Sequence, residues 1–318
     1  MTSRDSAHHD GRTFHNVDPA ARPRSLGEVW RWYRARQPAS WPKWIENGAP
    51  HPIPGTAPGR VSTTWIGHST FLIRIGTLTL LTDPVFAWHA GPFGRLGPRR
   101  VRAPGVPLEA LPRIDLILQS HNHYDHLDLG AHRALARRDR PVVVTPLGNR
   151  AYLPPSTRSR ATELDWWETT EPRRGVRITA VPAQHFSART PWDRDQALWS
   201  GFVVEAEGRR LYFAGDSGYG AHFKEIGRRF PGLDLALIPI GAYEPRWFMG
   251  PVHVDPAQAV QAHLDLAPAR SVAMHFGTFQ LTDEGIDAPI DELQRARQAA
   301  GLPADAFQVP TVGGSLTF

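Results

Sequence analysis

Four residues that can bind metal ions lie within six positions of the chain: His121, His123, Asp125 and His126. They form the pattern H-x-H-x-D-H just after an apolar run, 114–118, which predicts a buried strand. Imidazole and carboxylate groups suit zinc and its first-row neighbours. Because residues i and i+2 of an extended or tightly turned segment point the same way, we expect His121 and His123 to serve one metal. Asp125 and His126 would then serve a second metal, whereas a solvated histidine-rich loop is the alternative interpretation.

Three further potential ligands, His185, Asp216 and His275, each stand after an apolar run that predicts a strand. Ligands that follow strands meet at one edge of a sheet. The predicted assignment is His121, His123 and His185 for one metal, Asp125, His126 and His275 for the other, and Asp216 as a bridge. Two metals about 3.5–4 Å apart activate a shared water and hold a substrate for in-line displacement. Taken singly, Asp216 is also compatible with a turn residue, and His185 and His275 with core histidines.

Two residues near this constellation have predicted supporting roles. Asp83, in Thr-Asp-Pro, can orient a ligand histidine by accepting its second ring proton, or can simply begin a turn before proline. His253, in His-Val-Asp-Pro, can contact the substrate or protonate a leaving group, or can have a structural role near a helix start. We therefore predict Asp125 and His253 as catalytic residues and Asp83 as a residue behind the ligands.

Four residues are predicted to contact the substrate. His68, in Gly-His-Ser, would approach the site from the first strands of the chain. Tyr243, Glu244 and Arg246 follow a nearly continuous apolar strand and are expected to line the pocket. The segment 91–107 contains four further arginines, for which an electropositive rim around an anionic substrate and a solvated loop are the two interpretations.

The composition narrows the choice of function. The 318 residues, 41% of them hydrophobic, are enough for a large core, and the absence of cysteine excludes disulfides and thiolate metal sites. The net charge of +5 suggests nucleic acid or an anionic membrane, but only two of the 36 basic residues are lysines, Lys43 and Lys224. We attribute this bias to a GC-rich genome and predict no nucleic-acid partner.

The sequence contains no apolar run long enough to cross a membrane and no secretory signal near its start. We therefore expect a cytoplasmic protein, with peripheral contact at the inner membrane face as an added hypothesis. An aromatic and basic segment containing Trp30, Trp32, Trp41 and Trp44 would make that contact, or would instead pack on the domain as a cover. The oligomeric state is not determined by the sequence, and a dimer is compatible with it.

The order of elements predicts an antiparallel meander, then alternating strands and helices, then hairpins, and then alternation again. We expect an N-terminal extension, residues 1–55, and a single domain, residues 56–318. Two short strands are expected to close the chain. The predicted strands are 61–66, 70–75, 78–82, 114–118, 142–145, 176–181, 201–205, 210–214, 233–240 and 271–274, and the predicted helices are 129–138, 219–230, 256–264 and 289–298.

From Thr64 almost to the C-terminus the sequence resembles the metallo-β-lactamase superfamily, and within it the branch of N-acyl-phosphatidylethanolamine-hydrolysing phospholipases D. The matching stretches are TWIGHST, LTDPVF, GPRRVR, SHNHYDHLD, ELDWWE, AQHF, ALWSGF, FAGDSGY, LIPIGAYEPRWFM, HVDPAQAV and HFGTF. The resemblance implies an α/β (α+β) fold, built as a four-layer αββα sandwich. It also implies two zinc ions, although iron or manganese would suit the same ligands.

The resemblance further implies hydrolysis of a phospholipid diester to an N-acylethanolamine and phosphatidic acid. The first alternative is hydrolysis of a carbon ester, as in lactonases of the ascorbate-phosphate type. An alternative of another class is a non-catalytic metal- or lipid-binding module. The complete set of seven ligands argues against that last alternative, because loss of catalysis usually removes at least one ligand.

Overall fold

Two seven-stranded β-sheets pack against each other, and the main apolar core lies between them. The computed structural model describes residues 6–19, 21–22, 24–49, 51–55, 57 and 59–318. The strands are β1 (Val61–Gly67), β2 (Thr70–Ile75), β3 (Leu78–Thr82), β4 (Leu116–Leu118), β5 (Val142–Pro146), β6 (Ala161–Leu164), β7 (Thr169–Arg173), β8 (Val176–Val181), β9 (Gly201–Ala206), β10 (Arg209–Phe213), β11 (Leu235–Pro239), β12 (Arg270–Met274), β13 (Phe307–Gln308) and β14 (Ser315–Thr317). The helices are α1 (Leu26–Ala35), α2 (Leu129–Arg138), α3 (Pro155–Arg158), α4 (His222–Arg229), α5 (Arg246–Met249), α6 (Pro256–Leu266) and α7 (Ala288–Ala299).

The first sheet has the order β14-β1-β2-β3-β4-β5-β6, and the second has the order β13-β12-β11-β10-β9-β8-β7. In each sheet an antiparallel part adjoins a parallel part: β3 to β6 are parallel in the first, and β10 to β13 in the second. The predicted meander of β1, β2 and β3 and the predicted hairpin of β9 and β10 are both confirmed.

Strand residues of the first sheet alternate between two apolar layers. In β2, Phe71 and Ile73 face the core between the sheets, whereas Leu72 belongs to a separate apolar cluster on the other side. Leu116 and Ile117 of β4 divide in the same way. Because side chains of a strand point alternately to opposite faces, and both faces are covered, the strands appear in the sequence as nearly continuous apolar runs.

Helices cover the outer faces of both sheets. Leu135 of α2 packs into the outer cluster of the first sheet, while Phe223 of α4 and Val260 of α6 join the core of the second. Asp255 caps the start of α6, because its side chain accepts a hydrogen bond of 2.8 Å from the main-chain N–H of Gln258. The predicted αββα architecture is therefore present.

Several element predictions need correction. The sequence did not predict helices α1, α3 and α5 or strands β6 and β7. The helix predicted over 219–230 begins three residues later, at His222. Among the described residues, no helix combines the length and hydropathy needed to span a bilayer.

The strands that carry site residues share a direction. In the first sheet β1, β3 and β4 run the same way, because two antiparallel pairings separate β1 from β3 and β3 is parallel to β4. In the second sheet β8, β10 and β12 run the same way for the corresponding reason. The carboxyl ends of these strands therefore lie at a common edge of each sheet, where a site can be assembled.

Candidate metal centre

The ends of β4 and β8 bring three histidines together. His121 Nε2 lies 2.8 Å from His123 Nδ1, and His185 Nε2 lies 3.2 Å from the same His123 atom. All three side chains are largely shielded from solvent. We call these residues the three-histidine group, and three nitrogens that converge in this way can hold one metal ion.

A second group forms where the loop after β4 meets the ends of β1 and β12. The carboxylate oxygen Oδ2 of Asp125 lies 3.5 Å from His126 Nε2 and 3.4 Å from His275 Nε2. His68 Nε2 is hydrogen-bonded to the same oxygen at 2.9 Å. We call Asp125, His126 and His275 the carboxylate group, and one carboxylate oxygen and two imidazole nitrogens can hold a second ion.

Asp216 lies between the two groups. Its Oδ2 is 3.0 Å from His126 Nε2 and 2.9 Å from His275 Nε2, and on the other side it is 3.7 Å from His185 Nε2 and 4.0 Å from His121 Nε2. A single carboxylate thus faces imidazole nitrogens of both groups. The structure brings all seven predicted ligands together, in the two sets that the sequence analysis proposed.

The donor atoms fit metal ions. Nε2 of His126 and Nε2 of His275 lie close to Asp216 Oδ2 but not in hydrogen-bonding geometry, and the buried Oδ1 of Asp216 has no hydrogen-bond partner among the described residues. A buried polar atom without a partner costs about 1–3 kcal/mol, so a cluster of such atoms indicates a missing partner rather than ordinary core packing. Nitrogen and carboxylate oxygen are donors that zinc, iron and manganese accept, and the chain has no thiolate to offer.

Electrostatics divide the ligands into two kinds. Burial lowers the pKa of His123 to about 3 and that of His185 to about 4, so both imidazoles are neutral and able to bind metal at neutral pH. Burial acts in the same direction on His275, but Asp216 and Asp125 outweigh it and raise the pKa of His275 to about 9. Burial tends to raise the pKa of Asp216, yet His126 and His275 hold it well below its usual range. Metal binding to the carboxylate group therefore releases protons.

Residues behind the ligands fix the orientation of their rings. Asp83 is fully buried, and its Oδ2 is hydrogen-bonded to His126 Nδ1 at 2.6 Å, which leaves Nε2 free for a metal. Asp83 also accepts hydrogen bonds from the main-chain N–H and the hydroxyl of Ser120, whose hydroxyl is 2.8 Å from His121 Nδ1. The carbonyl oxygen of Val252 holds Nδ1 of His185 at 3.0 Å.

The backbone is strained at several of these positions. His68, Asp83 and His275 have φ values of 54°, 31° and 60°, in the left-handed region that residues other than glycine seldom occupy. Each such residue costs about 1–3 kcal/mol. The first and third of them are joined by a hydrogen bond of 3.1 Å from His275 N–H to the His68 carbonyl, which links the ends of β1 and β12 across the two sheets.

A cavity of about 460 Å³ opens onto the two groups and is lined by His123, Asp125, His185 and Asp216. His253 lies on its wall, buried, with its ring 5.0 Å from that of His185 and 5.3 Å from that of His275. The structure therefore places the predicted catalytic histidine beside both groups.

The predicted substrate-binding residues are elsewhere. Tyr243, Glu244 and Arg246 line a different cavity against α6 and α7, because the turn after β11 directs them away from the metal cavity. His68 is buried, is hydrogen-bonded to Asp125 and does not line this cavity. The structure thus places these four residues outside the lining of the metal cavity, and their contact with substrate stays a prediction.

The arginine-rich loop is also not a rim of this cavity. None of Arg95, Arg99, Arg100 and Arg102 lines it. Arg100 is buried and donates to the carbonyl oxygen of Val85 at 3.0 Å. The cations at the cavity are instead Arg22, Arg24 and Arg194, which the sequence analysis missed because no motif surrounds them.

The aromatic N-terminal segment packs on the domain. Trp32 stacks on Phe248 with ring centroids 4.9 Å apart, and Trp41 Nε1 donates to the carbonyl oxygen of Glu284 at 2.9 Å. For the four tryptophans, membrane contact and packing as a cover were the two interpretations, and these two pack on the protein itself. Trp30 and Trp44 remain 61% and 36% exposed.

Comparisons with known proteins agree with this geometry. Residues 79–276 match the family described as Beta-lactamase superfamily domain. The chain is 39% identical over 247 residues to N-acyl-phosphatidylethanolamine-hydrolyzing phospholipase D 1 of Caenorhabditis elegans, which covers 74% of this chain and 69% of the relative. It is 36% identical over 307 residues to an uncharacterized protein of Mycobacterium tuberculosis, covering 93% of this chain and 81% of the relative.

Among solved structures, a metallo hydrolase of the archaeon Ignicoccus hospitalis superposes with a TM-score of 0.60 at 24% identity, over 81% of this chain and 98% of that one. At this level of identity the superposition supports the fold alone.

Proposed function

The chain belongs to the metallo-β-lactamase superfamily and is a metal-dependent hydrolase of that superfamily, and from this membership we propose that it is a zinc phosphodiesterase of the phospholipase D type. The proposed substrates are phospholipids that resemble N-acyl-phosphatidylethanolamine. The observation that carries the proposal is the carboxylate of Asp216, which faces imidazole nitrogens of both groups at the base of an open cavity.

The three-histidine group would hold one zinc ion and the carboxylate group the other, with Asp216 shared. Zinc bound there would lower the pKa of a bound water and would neutralise charge on the phosphoryl oxygens. In the overall reaction a bond forms between the water oxygen and phosphorus. The bond between phosphorus and the oxygen of the N-acylethanolamine breaks, and that oxygen takes up a proton.

His253 is the residue that we propose to serve the departing oxygen. It is buried in the cavity wall, and its Nδ1 has no hydrogen-bond partner in the part of the chain that the structure describes. Burial lowers its pKa well below the ordinary value, so the ring is neutral and carries one N–H. We assign to it a hydrogen bond to the leaving oxygen.

Arg194 is the proposed contact for the negative charge of the substrate. Its guanidinium lies 4.9 Å above the ring of Phe186, and that ring is 4.4 Å from His123. Arg24, by contrast, donates to the carbonyl oxygen of Phe248 and pairs with Glu28. Arg194 therefore offers a cation close to the three-histidine group, although Asp195 at 3.6 Å partly offsets its charge.

The cavity wall away from the metal groups is apolar. Val29, Trp32, Phe248, Met249 and Leu281 contribute to it. An acyl chain placed against such a wall gains about 0.8 kcal/mol for each buried methylene. A lipid diester is therefore a better match to the cavity than a small polar diester. Contact with a membrane through the exposed Trp30 and Trp44 belongs to the same proposal.

The decisive experiment is hydrolysis of N-acyl-phosphatidylethanolamine in water labelled with heavy oxygen. Attack at phosphorus places the label in phosphatidic acid, whereas cleavage of a carbon–oxygen bond places it in the alcohol. A lactone is assayed in parallel. The variant His253→Gln is compared with the wild type to test the role of His253 at the leaving oxygen. Turnover of the lactone without turnover of the diester would overturn the proposed substrate class and leave the metal groups standing.

A further inference from the structure

The described residues of the N-terminal extension, here called the N-terminal segment, form one wall of the metal cavity, although they lie outside the two sheets. Phe14, Asn16, Pro19, Val29 and Trp32 all line the cavity. The segment joins the loop between β8 and β9, where the main-chain N–H of Phe14 donates to the carbonyl oxygen of Asp195 at 2.8 Å. This loop also carries His185 of the three-histidine group.

Asn16 makes the direct link to that histidine. Its Oδ1 accepts a hydrogen bond of 3.0 Å from the main-chain N–H of His185, and its Nδ2 donates to the carbonyl oxygen of the same residue at 2.8 Å. The Nε1 of Trp199 donates to Oδ1 at 3.0 Å, and Nδ2 also reaches the carbonyl oxygen of Ala21 at 2.8 Å. One amide thus satisfies both main-chain groups of a proposed ligand.

These partners determine which way the amide points. In the reverse orientation the amino group of Asn16 would face two N–H donors, on His185 and Trp199, and its oxygen would face two carbonyl oxygens. Each hydrogen bond would be replaced by a repulsive contact. Only an amide can satisfy two donors on one side and two acceptors on the other, and the isosteric aspartate cannot.

His185 is therefore held at three points. Asn16 fixes its main-chain N–H and carbonyl, and the carbonyl oxygen of Val252 fixes ring atom Nδ1 at 3.0 Å. With those points fixed, Nε2 faces Nδ1 of His123 at 3.2 Å. We propose that Asn16 is a positioning residue for the metal centre, through which the N-terminal segment sets the His185 imidazole for metal binding.

This inference rests on the proposed function, because it assumes that the three-histidine group binds a metal. It predicts a selective effect, in which loss of Asn16 weakens binding at the three-histidine group and leaves the carboxylate group unaffected. The reason is that Asn16 bonds to His185, which follows β8, whereas Asp125 and His126 follow β4 and His275 follows β12. A residue that merely stabilised the fold would weaken both groups together.

The test compares Asn16→Asp with Asn47→Asp. Asn47 is a matched control because it is also a half-buried amide of the N-terminal segment, whose Nδ2 donates to the carbonyl oxygen of Ala103 at 2.9 Å, and it does not line the cavity. Both variants and the wild type are freed of metal and titrated with Co²⁺ against a chromophoric chelator. Absorption spectra then distinguish the two groups by their ligands.

We expect Asn16→Asp to weaken Co²⁺ binding at the three-histidine group by about 10-fold, the low end of the range for residues behind metal ligands. Asn47→Asp should bind Co²⁺ like the wild type at both groups. Equal affinities in all three proteins, or equal weakening at both groups of Asn16→Asp, would overturn the positioning role. A wild type that binds no Co²⁺ would instead overturn the proposed function. If Asn16→Asp does not fold, Asn16→Ser provides the same comparison.

Discussion

Replacing Asp83 by asparagine tests how the metal centre is supported, because the change keeps the shape of the side chain and removes its charge. Asp83 is fully buried. Its Oδ2 binds Nδ1 of His126 at 2.6 Å and the hydroxyl of Ser120, while its Oδ1 accepts from the main-chain N–H of Ser120 at 2.7 Å and from Gln119 Nε2 at 3.2 Å. All four partners can donate a hydrogen bond, and an asparagine can accept on one side only.

The substitution disturbs either His126 or Ser120, depending on which way the new amide points. With the amino group at the Oδ2 position, His126 can no longer donate from Nδ1, so its proton moves to Nε2 and blocks the atom that faces Asp216. With the amino group at the Oδ1 position, it meets the main-chain N–H of Ser120. A hydrogen bond to a charged group contributes about 1.5–3 kcal/mol, and about 1.4 kcal/mol is a factor of ten in an equilibrium constant. Asp83→Asn should therefore weaken metal binding at the carboxylate group by about 10- to 100-fold.

The assay is equilibrium competition with a chelator, followed by turnover at saturating metal. Asp115→Asn is the matched control, since Asp115 just precedes β4 at the other edge of the same sheet and accepts from the main-chain N–H of Thr79 at 3.1 Å. It should bind metal like the wild type. If Asp83→Asn also retained wild-type affinity at both groups, the argument from His126 orientation would be refuted.

Three further predictions concern other parts of the chain. Asp125→Ala and His185→Ala should each abolish hydrolysis while leaving the circular dichroism spectrum unchanged, and full activity in either would contradict the site. Arg194→Gln should raise KM for an anionic diester about tenfold with little change in kcat. The control Arg99→Gln, in the exposed loop, should change neither constant. An unchanged KM in Arg194→Gln would remove Arg194 from the substrate site. Burial lowers the pKa of His132 from 6.5 to about 4, so the unfolded chain binds its proton at a higher pH than the folded one. The free energy of unfolding should therefore fall by about 3 kcal/mol as the pH drops from 6.5 to 4. In urea unfolding, His132→Gln should lose this part of the pH dependence of the free energy. The same pH dependence in the wild type and the variant would contradict the prediction.

The arrangement of the ligands could be predicted because each one follows an apolar strand. The sequence shows where a strand ends, and strands that run in one direction deliver their last residues to one edge. The pattern around His185 and His275 therefore carried three-dimensional information, although these residues are far apart in the chain.

Other features depended on contacts that no local pattern encodes. Tyr243 follows a strand as the ligands do, yet the turn after β11 directs it to another cavity. Asn16 lies in a polar stretch without periodicity, and its role comes from partners about 170 residues later in the chain. Helix α1 was missed for a different reason. Its capping box of Ser25 and Glu28 is visible in the sequence, but the aromatic and basic residues that follow were interpreted as a cover or a membrane contact and not as a helix.

Metal content and activity, measured on the same sample, test the proposed metal-dependent hydrolysis most directly. Untagged protein is analysed for bound elements, then treated with a chelator, and N-acyl-phosphatidylethanolamine cleavage is measured before and after zinc is restored. We expect about two zinc ions per chain, loss of cleavage on chelation, and its return as the second ion binds. Full cleavage by metal-free protein would contradict the central claim, and two bound ions without any cleavage of the diester would contradict the proposed substrate.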